Sequence, residues 1–219
     1  DEKIQGEVVV YVDNGLLRGW LGDVVAQFLT RFPDVSVTLK TDIKANSNQW
    51  RDHILLCMGS LPETSQRQEK LCMLWQGVFG SKEYFSRNGY PQSPEDLINT
   101  QWLQLLGNKS EQLVMTDQRG TTLSVPVPSS RIQSDQLVLQ GDAISHGHGL
   151  GLLPLWQASM RLNAHPGCFE RCLNDWVADP LPIWLCYPFG KLAKKQRAFI
   201  DHIKGNLPKA WNTEICQSM

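Results

Sequence analysis

The first 40 residues show two periodicities of hydrophobic and polar positions. Residues 7–12 are almost entirely apolar, which is typical of a strand buried on both faces of a parallel sheet. From Leu17 onward, apolar residues recur at positions 17, 21, 24, 28 and 32, and this spacing predicts an amphipathic helix that ends before Pro33. Residues 35–39 then alternate between apolar and polar, as a strand does. The order strand, helix, strand predicts a right-handed parallel crossover.

The rest of the chain continues this alternation of strands and helices. Further strands are predicted over 54–58, 71–79, 102–106 and 182–188, and two more on either side of a turn at 117–120. Residues 147–155 are predicted to be a glycine-containing turn that leads into a buried strand. Helices are predicted to follow the caps Ser81, Ser93 and Ser134, and a last helix begins near Leu192. Loops are predicted between the strand at 147–155 and Asp175. The class is therefore α/β.

Two of these strands are predicted to pass between separate sheets. They are the strands near 71–80 and near 183–187, so the chain leaves one lobe and later returns to it. The expected subdomains are residues 1–78 with 186–219, and residues 79–185. Two lobes joined in this way leave a cleft, and small ligands bind in clefts at the carboxyl ends of parallel strands.

Composition and charge narrow the function classes. The chain is 42% hydrophobic and 20% charged, which excludes a disordered or collagen-like protein. The chain has 21 Lys and Arg residues and 22 Asp and Glu residues, so it lacks the excess of positive charge that is typical of nucleic-acid-binding domains. Uninterrupted apolar stretches stay below the roughly 18 residues that a membrane span needs. The polar start, without an initiator Met or a signal peptide, is typical of a mature or excised segment.

Six cysteines occur at irregular spacing. Cys57, Cys72 and Cys186 lie inside apolar runs, as buried thiols do, and this favours a reducing compartment such as the cytoplasm over a disulfide framework. Cys168 and Cys172 lie in a polar segment, where a redox-active pair is an alternative.

Candidate catalytic and cofactor motifs are weak. Gly147, Gly149 and Gly151 do not match the dinucleotide fingerprint and precede a strand, so a close backbone approach is the favoured role. The pair His146 and His148 has no acidic neighbour after Asp142, which makes a metal site weak. His165, Cys168 and Cys172 match no common zinc pattern. We therefore predict no metal, no cofactor and no enzyme activity.

Three motifs occur in order along nearly the whole chain. The first is the strand, helix and strand from Gly6 to Leu39. The second comprises residues 59–62 (GSLP), 81–85 (SKEYF) and 94–97 (PEDL), and the third comprises residues 147–154 (GHGLGLLP) and 181–188 (LPIWLCYP). Together they resemble the effector-binding domain of LysR-type transcriptional regulators, although Lys82 stands where that family usually has proline.

The resemblance implies a fold and a set of partners. The implied fold is that of type 2 periplasmic binding proteins, with two Rossmann-like subdomains, two crossover strands and an effector cleft between the lobes. The implied partners are a small-molecule effector, further copies of the chain in a dimer or tetramer, and RNA polymerase, with no membrane. Promoter DNA would be bound by the family's N-terminal winged helix-turn-helix, which we expect to be absent from this chain.

The resemblance also implies nine effector-binding residues. They are Asp13, Asn14, Gly15, Leu16, Thr41 and Ser60 in the first lobe, and Gly107, Asn108 and His146 in the second. Asp13 departs from the Ser or Thr that many relatives carry, and its carboxylate disfavours an anionic effector unless His146 or Arg18 compensates.

Three other functions remain open at this point. A secreted solute-binding protein of a transporter would have the same fold, and its cysteines are expected to be paired in disulfides. A redox-sensing regulator would use Cys168 and Cys172. An enzyme in the cleft would need a positioned general base, for which Asp13 with His146 is the pair on offer.

Overall fold

The computed structural model describes residues 3–43, 49–106 and 110–212, which contain five α-helices and eleven strands. The helices are α1 (Gly22–Arg31), α2 (Lys82–Asn88), α3 (Leu137–Ser145), α4 (Leu155–Ala164) and α5 (Lys194–Gly205). The strands are β1 (Gly6–Val12), β2 (Val35–Lys40), β3 (Ile54–Met58), β4 (Arg67–Gly80), β5 (Trp102–Leu105), β6 (Gln112–Asp117), β7 (Thr122–Pro126), β8 (Ser130–Ser134), β9 (Leu150–Pro154), β10 (Glu170–Cys172) and β11 (Trp176–Tyr187). Short 3₁₀ turns cover Asn14–Leu16, Pro94–Asn99 and Lys209–Asn212.

The described residues form two compact units. Unit 1 contains the described residues up to 73 together with 182–211, and unit 2 contains the described residues of 74–181. The chain passes from one unit to the other within β4 and again within β11, because each of these strands has residues in both units.

Unit 1 is built around a largely parallel sheet. Its strand order is β2, β1, β3, β11, and β1 is parallel to both β2 and β3, whereas β11 is antiparallel to β3. Helices α1 and α5 pack against each other through the rings of Phe28 and Phe199, whose centroids are 5.1 Å apart. Both phenylalanines are fully buried, so the predicted apolar stripe of the first helix does face a core.

The first helix begins later than the apolar spacing predicts. Regular α-helix starts at Gly22, and the preceding turn is irregular because Arg18 is extended and Gly19 has a φ of 79°. This turn directs Trp20 inward, where its indole N–H donates to the backbone oxygen of Asn206 at 2.8 Å. The helix ends at Arg31, two residues before Pro33, as predicted.

Unit 2 contains a mixed sheet. Its central strands follow the order β4, β9, β5, β8, in which β5 is parallel to β9 and β8 while β4 is antiparallel to β9. Strand β10 pairs with β4, and the hairpin β6–β7 pairs with β11. One core cluster of this unit consists of Val78, Tyr84, Phe85, Leu97, Trp102, Leu113, Met115, Val125, Leu150, Cys172, Leu173 and Ala178.

Two sequence-based expectations for unit 2 were wrong. Residues 155–164 form helix α4 rather than a loop. Ser134 does not cap α3, which starts three residues later at Leu137; it is the last residue of β8, and its hydroxyl group accepts from the backbone N–H of Gln136. In the part of the chain that the structure describes, no helix is both long enough and apolar enough to span a bilayer.

Candidate functional site

Three parallel strands of unit 1 end at the same edge of the sheet. Tyr11 lies opposite Lys40 on β2, and Val12 lies opposite Leu56 on β3, so the three strands end at nearly the same level. The segments that follow these strands contain Asp13–Leu16, Thr41 and Ser60. The structure therefore brings all six expected residues of the first lobe to one edge of its sheet.

Asp13 shapes the loop that follows β1. Its Oδ1 accepts a hydrogen bond from the backbone N–H of Gly15 at 2.8 Å, and its own N–H donates to the backbone oxygen of Leu56 at 2.9 Å. The side chain of Leu16 is fully buried and so attaches the loop to the core. Asn14 is exposed at the loop's tip. Asp13 and Leu16 thus hold the loop in place, and Asn14 is its exposed polar side chain.

Thr41 and Ser60 are both exposed at the same edge of the sheet as this loop. The turn before Ser60 is held by Gly59, which has a φ of 83° and donates its N–H to the backbone oxygen of Pro182 at 2.8 Å. A positive φ of this size favours glycine. The site edge therefore presents two hydroxyl groups and one amide, which are groups that both donate and accept hydrogen bonds.

An apolar cluster with aromatic groups lies under this edge. Tyr11, Trp50, Leu55, Cys57 and Cys186 are its buried members. The ring of Tyr11 stacks on His53 at a centroid distance of 6.0 Å, and Lys40 Nζ lies 5.7 Å from the same ring.

Cys57 is an unreactive member of this cluster. Burial raises the pKa of its thiol, and the nearby Cys186 and Asp13 add to this effect because a second negative charge would be unfavourable there. Cys57 is therefore a neutral thiol at physiological pH, and not a nucleophile or a metal-binding thiolate.

The corresponding edge of unit 2 is formed by the ends of β5 and β8. Gly107 and Asn108, which follow β5, lie outside the described residues. Leu105 pairs with Ser134, and the next residue, Leu106, donates its N–H to the backbone oxygen of Ser134 at 2.6 Å. Residues 134–136 therefore lie at the carboxyl edge of these strands. Their position at a strand end in front of a helix is a signal that sequence reasoning overlooked.

His146 lies at the opposite edge of the unit 2 sheet. Helix α3 runs back from the end of β8, and His146 caps it before β9 begins at Leu150, which pairs with the first residue of β5, Trp102. The ring Nδ1 of His146 is 2.8 Å from the backbone oxygen of Asp142. The structure thus does not bring His146 to the strand ends that Gly107 and Asn108 follow.

The glycines after His146 allow close packing. A Cβ atom on Gly149 would lie 2.4 Å from the backbone oxygen of Gln101, and one on Gly151 would lie 2.3 Å from Nε2 of Gln140. The buried Gln140 donates from Nε2 to the backbone oxygen of Leu103 at 3.0 Å. The predicted close approach of the backbone at this motif is confirmed.

The two cysteines proposed as a redox pair differ strongly. Cys172 is 4% exposed, and burial raises its pKa to about 12, whereas Cys168 is half-buried. All five cysteines in the described ranges are free thiols. Within those ranges, no group of three or more His, Cys, Asp or Glu residues is arranged to hold a metal ion.

Comparison with protein families identifies the domain. The family model described as the LysR substrate binding domain matches residues 1–208. The chain belongs to this family. The resemblance seen in the three motifs is confirmed, and the domain is the ligand-sensing part of a LysR-type transcriptional regulator.

Curated relatives of this LysR-type domain are transcriptional regulators. It is 28% identical over 211 residues to the iron-regulated virulence regulatory protein IrgB of Vibrio cholerae, a match covering 96% of the chain and 71% of IrgB. It is 24% identical over 184 residues to the HTH-type transcriptional activator AaeR of Escherichia coli, covering 83% of the chain and 58% of AaeR. These relatives favour a regulator over a transporter component, and at the level of the family they are regulators rather than enzymes.

Solved structures show the same fold. Full-length AphB, a virulence activator of Vibrio cholerae, has a TM-score of 0.75 at 22% identity, covering 94% of this chain and 70% of AphB. The regulatory domain of CrgA from Neisseria meningitidis has a TM-score of 0.72 at 22% identity, covering 93% of this chain and all of that domain. The expected periplasmic-binding-protein-like fold of type 2 is confirmed.

Proposed function

We propose that a small polar effector binds at the carboxyl edge of the unit 1 sheet. The observation that carries this proposal is the convergence of three parallel strand ends, which places Asp13–Leu16, Thr41 and Ser60 at one edge. In open α/β sheets, ligands bind outside the carboxyl ends of the strands. LysR-type regulators bind small-molecule effectors, so the family supports a small molecule as the ligand.

The residues of this edge have different roles in the proposal. Asn14, Thr41 and Ser60 are exposed and form hydrogen bonds with the effector, while Asp13 and Leu16 hold the loop that presents Asn14 and the backbone of Gly15. Gly107 and Asn108 lie outside the described residues, and the resemblance alone proposes them as effector-binding residues. His146 does not, because helix α3 carries it to the amino edge of its sheet.

The charges of the edge favour a neutral or zwitterionic effector. Asp13 contributes a carboxylate, and Lys40 at the end of β2 contributes an ammonium group that lies over the Tyr11 ring. A strongly anionic molecule would meet the Asp13 carboxylate at close range. A molecule with both a donor group and a cationic or uncharged polar group avoids this cost.

In the full-length regulator, effector binding controls transcription by changing self-association. LysR-type regulators oligomerise and bind promoter DNA. An effector that binds one arrangement of the oligomer more tightly than another shifts the population toward it. Contact with RNA polymerase and a cytoplasmic location complete the proposal, and the free thiols in the described ranges agree with a reducing compartment.

Thermal unfolding with a panel of small polar metabolites tests the effector site. A metabolite that raises the Tm of the wild-type chain should do so much less in Asn14→Ala or Ser60→Ala, because each removes a hydrogen-bonding group from the edge. His146→Ala is the control and should keep the full shift. A shift that survives in the edge variants and disappears in His146→Ala would overturn the proposed location.

Self-association has a candidate surface in unit 2. Large apolar side chains are exposed there at Ile132 on the edge strand β8, at Val138 and Leu139 on helix α3, and at Leu106 directly after β5. Apolar side chains grouped in this way mark interaction sites. Leu139→Glu should convert an oligomer to a smaller species in light scattering, whereas Ile98→Glu, at another exposed apolar position, should leave the mass unchanged.

A further inference from the structure

Unit 1 has a groove that the proposed effector site does not use. It has a volume of about 760 Å³ and runs along one face of α5, bounded by the end of α1, by Ile4 and by residues 190–192 after β11. The lining positions on α5 are 194, 197, 198, 201, 202 and 205, which recur at helical spacing and form one continuous face, and the C-cap residue Asn206 extends it.

The groove concentrates positive charge in a chain that is close to neutral. Among the described residues that line it, the cations are Arg31, Lys191, Lys194 and Arg197, and Asp201 is the one carboxylate. Arg31, Lys191 and Arg197 form no ion pair with any residue that the structure describes. The whole chain carries a net charge of −1, so this excess of cations is local. It favours an anionic partner.

The floor of the groove is apolar. Ile4, Phe32, Leu192 and Ala198 line it, and each of them is partly exposed rather than buried in the core. His202 also lines the groove, and its Nε2 is 2.9 Å from the backbone oxygen of Val24, so that nitrogen is already engaged. An occupant that matches this groove carries both negative charges and apolar side chains.

We propose that this groove docks an acidic segment of a partner protein, in which carboxylates alternate with apolar side chains. Helix α5 has 12 residues and is therefore about 18 Å long, which matches about five or six residues of extended peptide. The carboxylates of the segment pair with the cations of the groove, and its apolar side chains contact Phe32, Leu192 and Ala198. This binding is separate from that of the effector.

The geometry favours a peptide over two other anions. A small polyanion would remain largely exposed in an open groove, whereas small-molecule sites enclose most of their ligand. A nucleic-acid backbone would place phosphates against Asp201 and would leave the apolar floor without a matching surface. Carboxylates spaced along a peptide can avoid Asp201 while its apolar side chains cover the floor.

Fluorescence anisotropy with labelled synthetic peptides tests this proposal. The probe is a peptide of alternating Asp and Leu, and two further peptides replace its Asp by Lys or its Leu by Ser. The wild-type chain should bind the acidic and apolar peptide, more weakly at high salt, and bind both altered peptides at least about tenfold less tightly. Arg197→Glu and Lys191→Glu should each weaken binding by a similar factor.

A matched variant and a second probe make the outcome decisive. Arg119→Glu reverses another exposed charge, in the β6–β7 turn of unit 2, and should leave peptide affinity unchanged. Equal affinity in wild type and Arg197→Glu, or no binding at about 100 μM peptide, would overturn the proposal. Tighter binding of a DNA duplex than of the peptide, with loss in Arg197→Glu, would also overturn it. The increase in Tm that an effector causes is measured on the same variants, so that a failure of the groove proposal can be distinguished from a failure of the effector site.

Discussion

Tyr187 donates a hydrogen bond from its hydroxyl group to the carboxylate of Glu69, and so links the end of β11 to β4 within unit 1. The other oxygen of Glu69 is 2.6 Å from Lys204 Nζ on α5. One carboxylate thus joins three elements, two of which are the strands by which the chain passes between units.

The first prediction concerns the pH dependence of this linkage. The hydrogen bond from Lys204, and then that from Tyr187, holds the pKa of Glu69 below its ordinary value of 4.5. A lowered pKa means that this stabilisation is fully present above pH 4.5 and is lost as the pH falls through the lowered pKa. Glu69→Gln should therefore reduce the free energy of unfolding by about 0.5 kcal/mol at neutral pH. In urea unfolding, this difference should shrink below pH 4.5.

Glu63→Gln is the matched control for that measurement. Glu63 is an exposed glutamate of the same unit, and it forms no ion pair with a described residue. It should change stability by much less at every pH. A Glu69→Gln effect that stayed constant from neutral to acidic pH would show that the charge of Glu69 is not what stabilises the linkage.

The second prediction separates the hydrogen bond of Asp13 from its charge. Asp13→Ala removes the acceptor of the Gly15 N–H and should cost about 1 kcal/mol. Asp13→Asn keeps an acceptor oxygen in the same place and should retain most of the stability. Chemical unfolding of the three chains measures both differences. Equal losses in the two variants would mean that the negative charge, rather than the hydrogen bond, holds the loop.

Much of unit 1 follows from local sequence pattern. The run before Asp13 is a buried strand, and the residues at helical spacing, Leu21, Val24 and Phe28, face the core. The irregular turn before α1 could not be predicted, because Gly19 interrupts an apolar spacing that continues through it. Only the hydrogen bond from the Trp20 indole to the backbone oxygen of Asn206 shows why the chain departs from the helix there.

Unit 2 shows a different limit. Helix α4 was missed because a strand immediately precedes it and only Ala158 of its residues is fully buried, so its apolar stripe is weak. The edge of the sheet at which His146 lies is determined by strand pairing, which the hydrophobic pattern does not reveal. The sequence indicated that a helix ends there, but only the parallel pairing of β5 with β9 shows that it ends at the amino edge.

The third prediction concerns thiol reactivity. Cys172, with a pKa raised to about 12 by burial, should resist iodoacetamide in the native chain at neutral pH, and the more exposed Cys168 should react before it. Peptide mass spectrometry after timed labelling measures this order. Cys72 and Cys186, whose pKa values burial also raises to about 12, serve as internal controls. Labelling of Cys172 as fast as Cys168 would restore the case for a redox pair.

The fourth prediction tests the packing of the glycine motif in unit 2. Gly149→Ala would place a methyl group 2.4 Å from the backbone oxygen of Gln101, and a backbone atom cannot move aside as a flexible side chain can. We expect a loss of about 2–3 kcal/mol in the free energy of unfolding. Gly22→Ala at the start of α1 is the control, since nothing lies within 4 Å of its added Cβ, and it should be neutral or slightly stabilising. A tolerated Gly149→Ala would mean that β5 and β9 separate at little cost, and that the glycine serves another purpose.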